Sequence, residues 1–392
     1  MLSSHLGSDA LAIELEQIEQ EIEWRMCSSD WYYWLETYVY TKDENDRANP
    51  FKKFLEGREL PYVWLVGELY LNERRLIILK SRQLGITWLL CALDLWECLF
   101  QAGRFIPITA YKEGDAADIL DRIKFIFEGV PSDPRAPGLP VWMRTRVMVT
   151  APKKTWLREP FQMEFSNGSM IRAGPEGSEN LRGKTISRWK NEESRSQPRL
   201  EQTAQSVLPA VQGDAQACFV SSAGPGYFQA LVEDKLEAGD APQREMYPTD
   251  IPGVQVWKNK RNQYLVVRIH YTADPQKQDP EWIKRATAGM PPYQVDQEYE
   301  IDFGAAAGTP AIPVFQDRER LIVIQPFEIP DHWPRYAASD YGTENPYCCL
   351  FFAVGPDREL YVYWEYYAPG PLGMHLSVIK NYRTVPGRDP DF

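Results

Sequence analysis

Leu76-Ile77-Ile78-Leu79 runs directly into Lys80-Ser81-Arg82-Gln83-Leu84-Gly85-Ile86-Thr87, and the stretch from Trp88 to Phe100 then repeats apolar residues at helical period before Gly103 supplies a stop. A short apolar run, a polar bend closed by glycine and an apolar helix read as strand, loop, helix. Residues 105–110 form the next strand, and 115–127 a second helix ended by Gly129. This alternation is that of a parallel α/β sheet. The loop itself is the informative part. A phosphate cradle needs a closing glycine, inward-facing backbone N–H groups, a lysine for the outer phosphates and a hydroxyl for Mg²⁺. Gly85 and Thr87 meet two of these needs, but Ile86 occupies the usual lysine position. Lys80, at the strand end, has a four-carbon stem long enough to reach across the loop and supply the missing charge. An ordinary strand-to-helix turn is the competing reading.

Outward from this unit, Leu11, Leu15, Ile18 and Ile22 predict an amphipathic helix beginning near Ser8 or Asp9, which serves packing or docking. The aromatic cluster Trp31, Tyr32, Tyr33, Trp34, Tyr38 and Tyr40 reads as core. Segment 131–160, rich in proline and basic residues, and a hairpin turning at Asn167-Gly168 read as an excursion from the core sheet. A buried strand is expected over 217–222 and a helix over 228–236. Small residues and prolines over 304–313 mark a linker. Beyond it, 335–340, 347–354 and 359–366 predict three strands.

With 392 residues the chain exceeds one comfortable core, and two domains are expected. No stretch approaches the roughly 20 apolar residues of a membrane span, and no export signal opens the chain, so a soluble, cytoplasmic protein without membrane contact is expected. The cysteines at 27, 91, 98, 218, 348 and 349 include no C-x-x-C pair and read as buried thiols. A net charge of −12 argues against coating nucleic acid by bulk electrostatics. Any DNA contact must be local, and Lys153, Lys154 and Arg158, Arg182 and Lys184, or Lys258, Lys260 and Arg261 are the basic runs available, each equally readable as a solvated face.

The string from Lys80 to Thr87 resembles the variant Walker A motif of large terminase subunits from tailed bacteriophages, in which a displaced lysine is common. The aromatic lead-in from Trp31 to Phe51, and Tyr293 to Phe303 with Gln297-Glu298-Tyr299, resemble the same family from about residue 30 onward. The resemblance implies a lead-in over 1–50, a P-loop ATPase domain over 51–303, the linker, and a partial RNase H-like nuclease domain over 314–392. It implies ATP and Mg²⁺ as cofactors, with Mn²⁺ an option at the nuclease site. The implied partners are double-stranded DNA, a portal protein, a small terminase subunit and further copies in a ring on the procapsid.

Carried over by residue, Arg82 is the loop arginine implied to approach the γ-phosphate, where a guanidinium stabilises developing charge, although pairing with an acid of its own domain is the competing role. After Leu181-Arg182-Gly183-Lys184-Thr185, the pair Glu192-Glu193 takes the place of the family's Asp-Glu: Glu192 beside Mg²⁺, Glu193 orienting water. Trp189-Lys190-Asn191, however, stands where an apolar strand is expected, and Arg195 and Arg199 follow, so a solvated charged loop is the alternative. Ser221-Ser222-Ala223 resembles the family's coupling motif. Asp340 resembles the first metal ligand of RNase H-like nucleases, with Glu365, expected on a neighbouring strand, as a second contributor. Asp389 and Asp391 fall in a loop-like tail, so the nuclease is expected to be incomplete. The leading reading is a packaging motor that also cuts concatemeric DNA. A degenerate remnant acting only as a binding protein is the alternative, followed by an unrelated helicase.

Overall fold

The computed structural model describes residues 3–42, 50–150, 161–177, 185–211, 213–235, 242–303, 324–325, 327–340, 347–368 and 370–383. The basic runs at 153–158 and 182–184, the linker at 304–313, and Asp389 and Asp391 lie outside them. The chain opens with α1 (Ser3–Ser29), which starts ahead of the expected cap, and α2 (Trp31–Tyr38), capped by the Asp30 carboxylate accepting from the Tyr32 and Tyr33 N–H groups. A ribbon of β1 (Tyr40–Lys42) and β2 (Phe51–Lys53) leads to α3 (Tyr62–Asn72). Trp31 of the aromatic lead-in packs directly over Gly67 of α3, where any Cβ would collide with its ring.

The predicted core alternation follows as β3 (Arg75–Lys80), α4 (Ile86–Phe100), β4 (Phe105–Ala110) and α5 (Glu113–Glu128). Next come α6 (Val141–Arg146), β5 (Val149–Thr150), β6 (Gln162–Phe165), β7 (Met170–Pro175), β8 (Arg188–Glu192), α7 (Leu200–Val207), β9 (Gln216–Ser221) and α8 (Tyr227–Glu233). The unit finishes with β10 (Arg244–Tyr247), β11 (Val254–Asn259), β12 (Leu265–Ile269), α9 (Pro280–Ala286) and α10 (Pro292–Val295), the last running into a π-helical turn at Asp296–Glu300.

Ten strands form one sheet in the order β10-β11-β12-β3-β9-β8-β4-β7-β6-β5. The six from β12 to β7 run parallel, and the antiparallel strands are confined to the two flanks. Alternate residues feed two cores: Ile78 and Val220 pack on the side of α3, α4 and α5, whereas Ile77 and Phe219 pack on the side of α7 and α8. A parallel sheet covered by helices on both faces explains why its strands are apolar almost throughout. The hairpin at Asn167-Gly168 is no excursion. Its β7 arm pairs with β4 and extends the sheet, because Ile171 and Ala173 continue the buried face of Ile106 and Ile108.

The second compact unit, residues 312–392, contains β13 (Arg335–Asp340), β14 (Tyr347–Val354) and β15 (Leu360–Ala368) in an antiparallel sheet, with α11 (Leu372–Arg383) after them. Tyr347, Cys349 and Phe351 are its buried face. The six cysteines are free thiols, all buried except the half-buried Cys348. No helix among the described residues is long and apolar enough to cross a membrane.

Candidate functional site

Register brings the sequence-predicted groups to one edge. Leu79 of β3 pairs with Ser221 of β9, and Val220 of β9 pairs with Glu192 of β8, so Lys80, Ser221-Ser222 and Glu192-Glu193 all stand at the carboxyl ends of adjacent parallel strands. The loop between Lys80 and α4 curves over that edge. Gln83 and Gly85 take φ of 62° and 72°, the left-handed region in which glycine is at ease and glutamine is not. Gly85 is also the N-cap of α4 and offers no side chain to cap it; the first intrahelical bond runs from Leu89 N–H to the Gly85 carbonyl. The N–H groups of Ile86, Thr87 and Trp88 therefore precede any intrahelical acceptor, and the positive end of the helix dipole is left for an anion.

The loop is held from outside. The Tyr62 hydroxyl donates to the Leu84 carbonyl at 2.7 Å, and the Lys277 ammonium donates to that of Gln83. Ser81 N–H donates to the Ile269 carbonyl at 2.9 Å, and Arg82 N–H to the Glu298 carbonyl at 2.9 Å. The Ser81 hydroxyl donates to the Tyr299 carbonyl at 2.5 Å. Ile86, where a standard loop has its lysine, is buried in the apolar core, whereas Thr87 beside it stays half-buried. Arg82, for which two roles stood open, here forms an ion pair with Glu298. Glu298 also accepts from Arg195 at 2.8 Å, while Arg195 donates to the Ala223 carbonyl at 2.9 Å and its own N–H donates to the Ser221 hydroxyl at 3.2 Å. Gly224 lets the Arg195 stem lie against the backbone, since a Cβ there would sit 2.8 Å from it. The loop after β3, the carboxyl end of β9 and the π-turn are thereby joined through two arginines and one acid. Sequence reasoning passed over Arg195 and Glu298 in this role, because only the fold brings 82, 195 and 298 together.

The segment read as a disrupted strand or solvated loop is neither. Arg188, Trp189, Lys190, Asn191 and Glu192 form β8, buried along its length between β9 and β4. Its charges are neutralised from α4. The Lys190 ammonium lies 2.6 Å from the Asp94 carboxylate, which also accepts the Tyr70 hydroxyl at 2.6 Å, and Arg188 pairs with Glu97. Burial alone would push the Lys190 ammonium down in pKa; the Asp94 carboxylate, together with Cys91 and Glu192, outweighs that, and the group titrates above its ordinary range. Asp94 and Glu97, one helical turn apart in an otherwise apolar helix, were the available sequence signal for a buried charged strand. Trp189 and Asn191 both donate to the Thr109 hydroxyl, at 2.9 and 2.8 Å.

Burial raises the Glu192 carboxyl, with the Lys190 and Lys80 ammonium groups pulling it back down. Its Oε1 is buried without a hydrogen-bond donor, the nearest cation being Lys190 Nζ at 3.9 Å. An oxygen so placed suits a divalent cation. Among the described residues no three acids, histidines or cysteines converge as a metal centre, but Mg²⁺ bound to a nucleotide takes one or two protein ligands and fills the rest with phosphate and water. Glu192, with its unpartnered oxygen, could supply one such ligand, and the half-buried Thr87 hydroxyl at the start of α4 could supply another. Glu193 is exposed, at φ 51°, a strained setting for a residue with a side chain and one that recurs where function demands it.

In the second unit, Asp340 ends β13 as expected, but Glu365 is not on the neighbouring strand; β14 lies between. Asp340 is opposite Cys348 and Glu365 opposite Leu350, so both acids project from the same sheet face. The diagonal between their Cα atoms is about 12 Å from ordinary strand spacings. No third ligand joins them among the described residues, and the pair by itself does not constitute a two-metal centre.

A parallel sheet whose strand ends carry a lysine, paired acids and a glycine-capped helix is the class of α/β architecture that binds ligands outside the carboxyl ends of its strands. The chain is similar to the large terminase ATPase domain of Thermus phage P74-26, at 18% identity, covering 66% of this chain and all of that one, with a TM-score of 0.44. It is similar also to the large terminase of a thermophilic bacteriophage in complex with ATP-gamma-S, at 12% identity over 83% of this chain and 74% of that one, TM-score 0.43. The HK97 bacteriophage large terminase is similar at 12% identity over 90% of this chain and 70% of that one, TM-score 0.41. No family model and no curated protein matches the chain.

Proposed function

We propose that this chain is a DNA-packaging motor subunit: an ATPase, built on residues 51–303, that moves double-stranded DNA into a procapsid. The observation that supports it is the convergence of Lys80, the uncapped start of α4, Glu192-Glu193 and Ser221-Ser222 at one edge of the sheet. ATP supplies the phosphoryl group and Mg²⁺ neutralises its charge. The N–H groups from Gln83 to Thr87 would cradle the phosphates, since those of Ser81 and Arg82 are already bonded within the protein, Lys80 would contribute the cation that Ile86 does not, and Thr87 and Glu192 would hold the metal. Glu193 orients water. Arg82 must leave Glu298 to reach the γ-phosphate, and its departure would leave that carboxylate to Arg195, which is bonded to the end of β9. A portal protein, a small terminase subunit and sister subunits in a ring are the partners this reading implies, in the host cytoplasm. The alternative of a degenerate binding protein loses its main support, since 188–192 is a buried strand rather than a broken one.

The test is Mg²⁺-dependent phosphate release by the purified chain, compared with Glu193→Gln. The variant is expected to bind a fluorescent ATP analogue within about threefold of the parent while turnover drops about 10²-fold or more, the size of effect expected on losing a positioned catalytic group. Equal turnover would remove Glu193 from the mechanism.

Residues 314–392, joined through 304–313, are proposed as part of an RNase H-like domain of the kind that cuts concatemeric DNA, supported by Asp340 and Glu365 sharing a sheet face, with further ligands still needed to complete a metal centre. Mn²⁺-dependent nicking of a supercoiled plasmid is expected to disappear in Asp340→Ala. Nicking that persists in the variant would place the activity elsewhere.

A further inference from the structure

The N-terminal helix is built the wrong way round for a helix that serves only its own core. A surface helix ordinarily turns its apolar stripe inward. In α1, Leu11, Leu15, Ile18 and Ile22 are 57, 53, 51 and 54% exposed, whereas Cys27 is fully buried. Cys27 follows Ile18 by nine positions, about half a revolution round the helix at about 100° per residue. The stripe and the anchoring side are opposite faces. Among the described side chains, anchoring is confined to the C-terminal turns: the Trp96 indole donates to the Cys27 carbonyl at 2.8 Å, Trp24 packs on Phe100, and the Tyr33 and Tyr38 hydroxyls donate to Glu23. Residues 11–19, ahead of those turns, are exposed all round.

The spacing of the stripe, four, three, four, is that of a seam made for a second helix. Its flanks name the partner's chemistry. Glu14, Glu19 and Glu21 adjoin the seam, Glu16 lies beyond, and residues 10–24 contain no lysine or arginine. Glu21 is engaged by Arg25 at 2.9 Å and Arg146 at 2.8 Å, which leaves Glu14 and Glu19 as the flanking charges of the exposed part. A second copy of α1 would bring Glu14 against Glu19 in a parallel pair and glutamate against glutamate in an antiparallel one, and both arrangements repel.

We propose that the exposed half of α1 is a docking element for an amphipathic helix of another protein whose own apolar seam is flanked by lysine or arginine. Apolar contact supplies the adhesion and the acidic flanks select against acidic helices, this chain's included. The inference is independent of ATP hydrolysis.

Two synthetic peptides of equal length, with leucine and isoleucine in heptad register and either lysine or glutamate at the flanking positions, test it by fluorescence anisotropy against the full chain. The lysine-flanked peptide is expected to saturate and to weaken as salt rises, whereas the glutamate-flanked one does not bind. Leu15→Ser with Ile18→Ser is expected to weaken binding at least tenfold without moving the thermal melt, because both positions are exposed. Glu14→Lys with Glu19→Lys is expected to exchange the preference between peptides. Equal binding by the serine variant would mean bulk attraction to an acidic chain and would overturn the proposal. So would a concentration-dependent dimer in sedimentation that the serine variant abolishes, since the occupant would then be a second copy.

Discussion

Lys80→Met is expected to eliminate Mg²⁺-dependent ATP hydrolysis, lowering turnover by about 10²- to 10³-fold, the range found when one preorganised donor to a developing charge is removed. The argument is positional. In the usual loop a lysine opens the helix, but Ile86 has its side chain in the apolar core and cannot be replaced there by a charge without burying it. The compensating cation has to come from a residue whose backbone is already fixed at the strand end. Lys80 is so placed, largely buried, next to the edge where Ser221 and Glu192 finish their strands. Methionine keeps the stem and its packing while deleting the charge. Phosphate release measured beside a melting curve separates lost chemistry from lost fold, and undiminished turnover in a folded variant would dismiss the displaced-lysine reading and the motor built on it.

The largest effect on stability is expected from Asp94→Ala. Its carboxylate neutralises Lys190, approaches Arg188 at 3.5 Å and accepts from Tyr70, all in the interior between α4 and β8. Removing it strands two cations and a hydroxyl with too few partners, and breaking a buried pair from one side costs about 3–5 kcal/mol. The urea midpoint of the first unit should fall accordingly. Asp94→Leu combined with Lys190→Met, which removes both charges and keeps the volume, is expected to recover most of that loss, because a packed apolar pair often equals a buried ionic one. A double variant as unstable as Asp94→Ala would show that the cost lies in packing rather than in stranded charge.

Much of the architecture was legible because local chemistry decides it. Alternating apolar runs and helices, with stops at Gly103 and Gly129, specified β3, α4, β4 and α5, and turn residues specified the hairpin at Asn167-Gly168. The strands β10, β11 and β12 passed unread, although Val254 to Trp257 and Leu265 to Val267 carry the β-branched and aromatic residues of buried strands. β12 matters, since its Ile269 carbonyl holds Ser81 N–H.

What the sequence by itself determined is the strand, bend and helix around Lys80 to Thr87, since the period of apolar residues and the left-handed tolerance of Gly85 act within a few residues of chain. Only the tertiary structure decided that Arg188 and Lys190 are interior, that Arg82 is held by Glu298, and that α1 shows its apolar seam to solvent. Those outcomes depend on countercharges and surfaces distant in sequence: a lysine is tolerable in a core when Asp94 arrives opposite it, and no local pattern records that arrival.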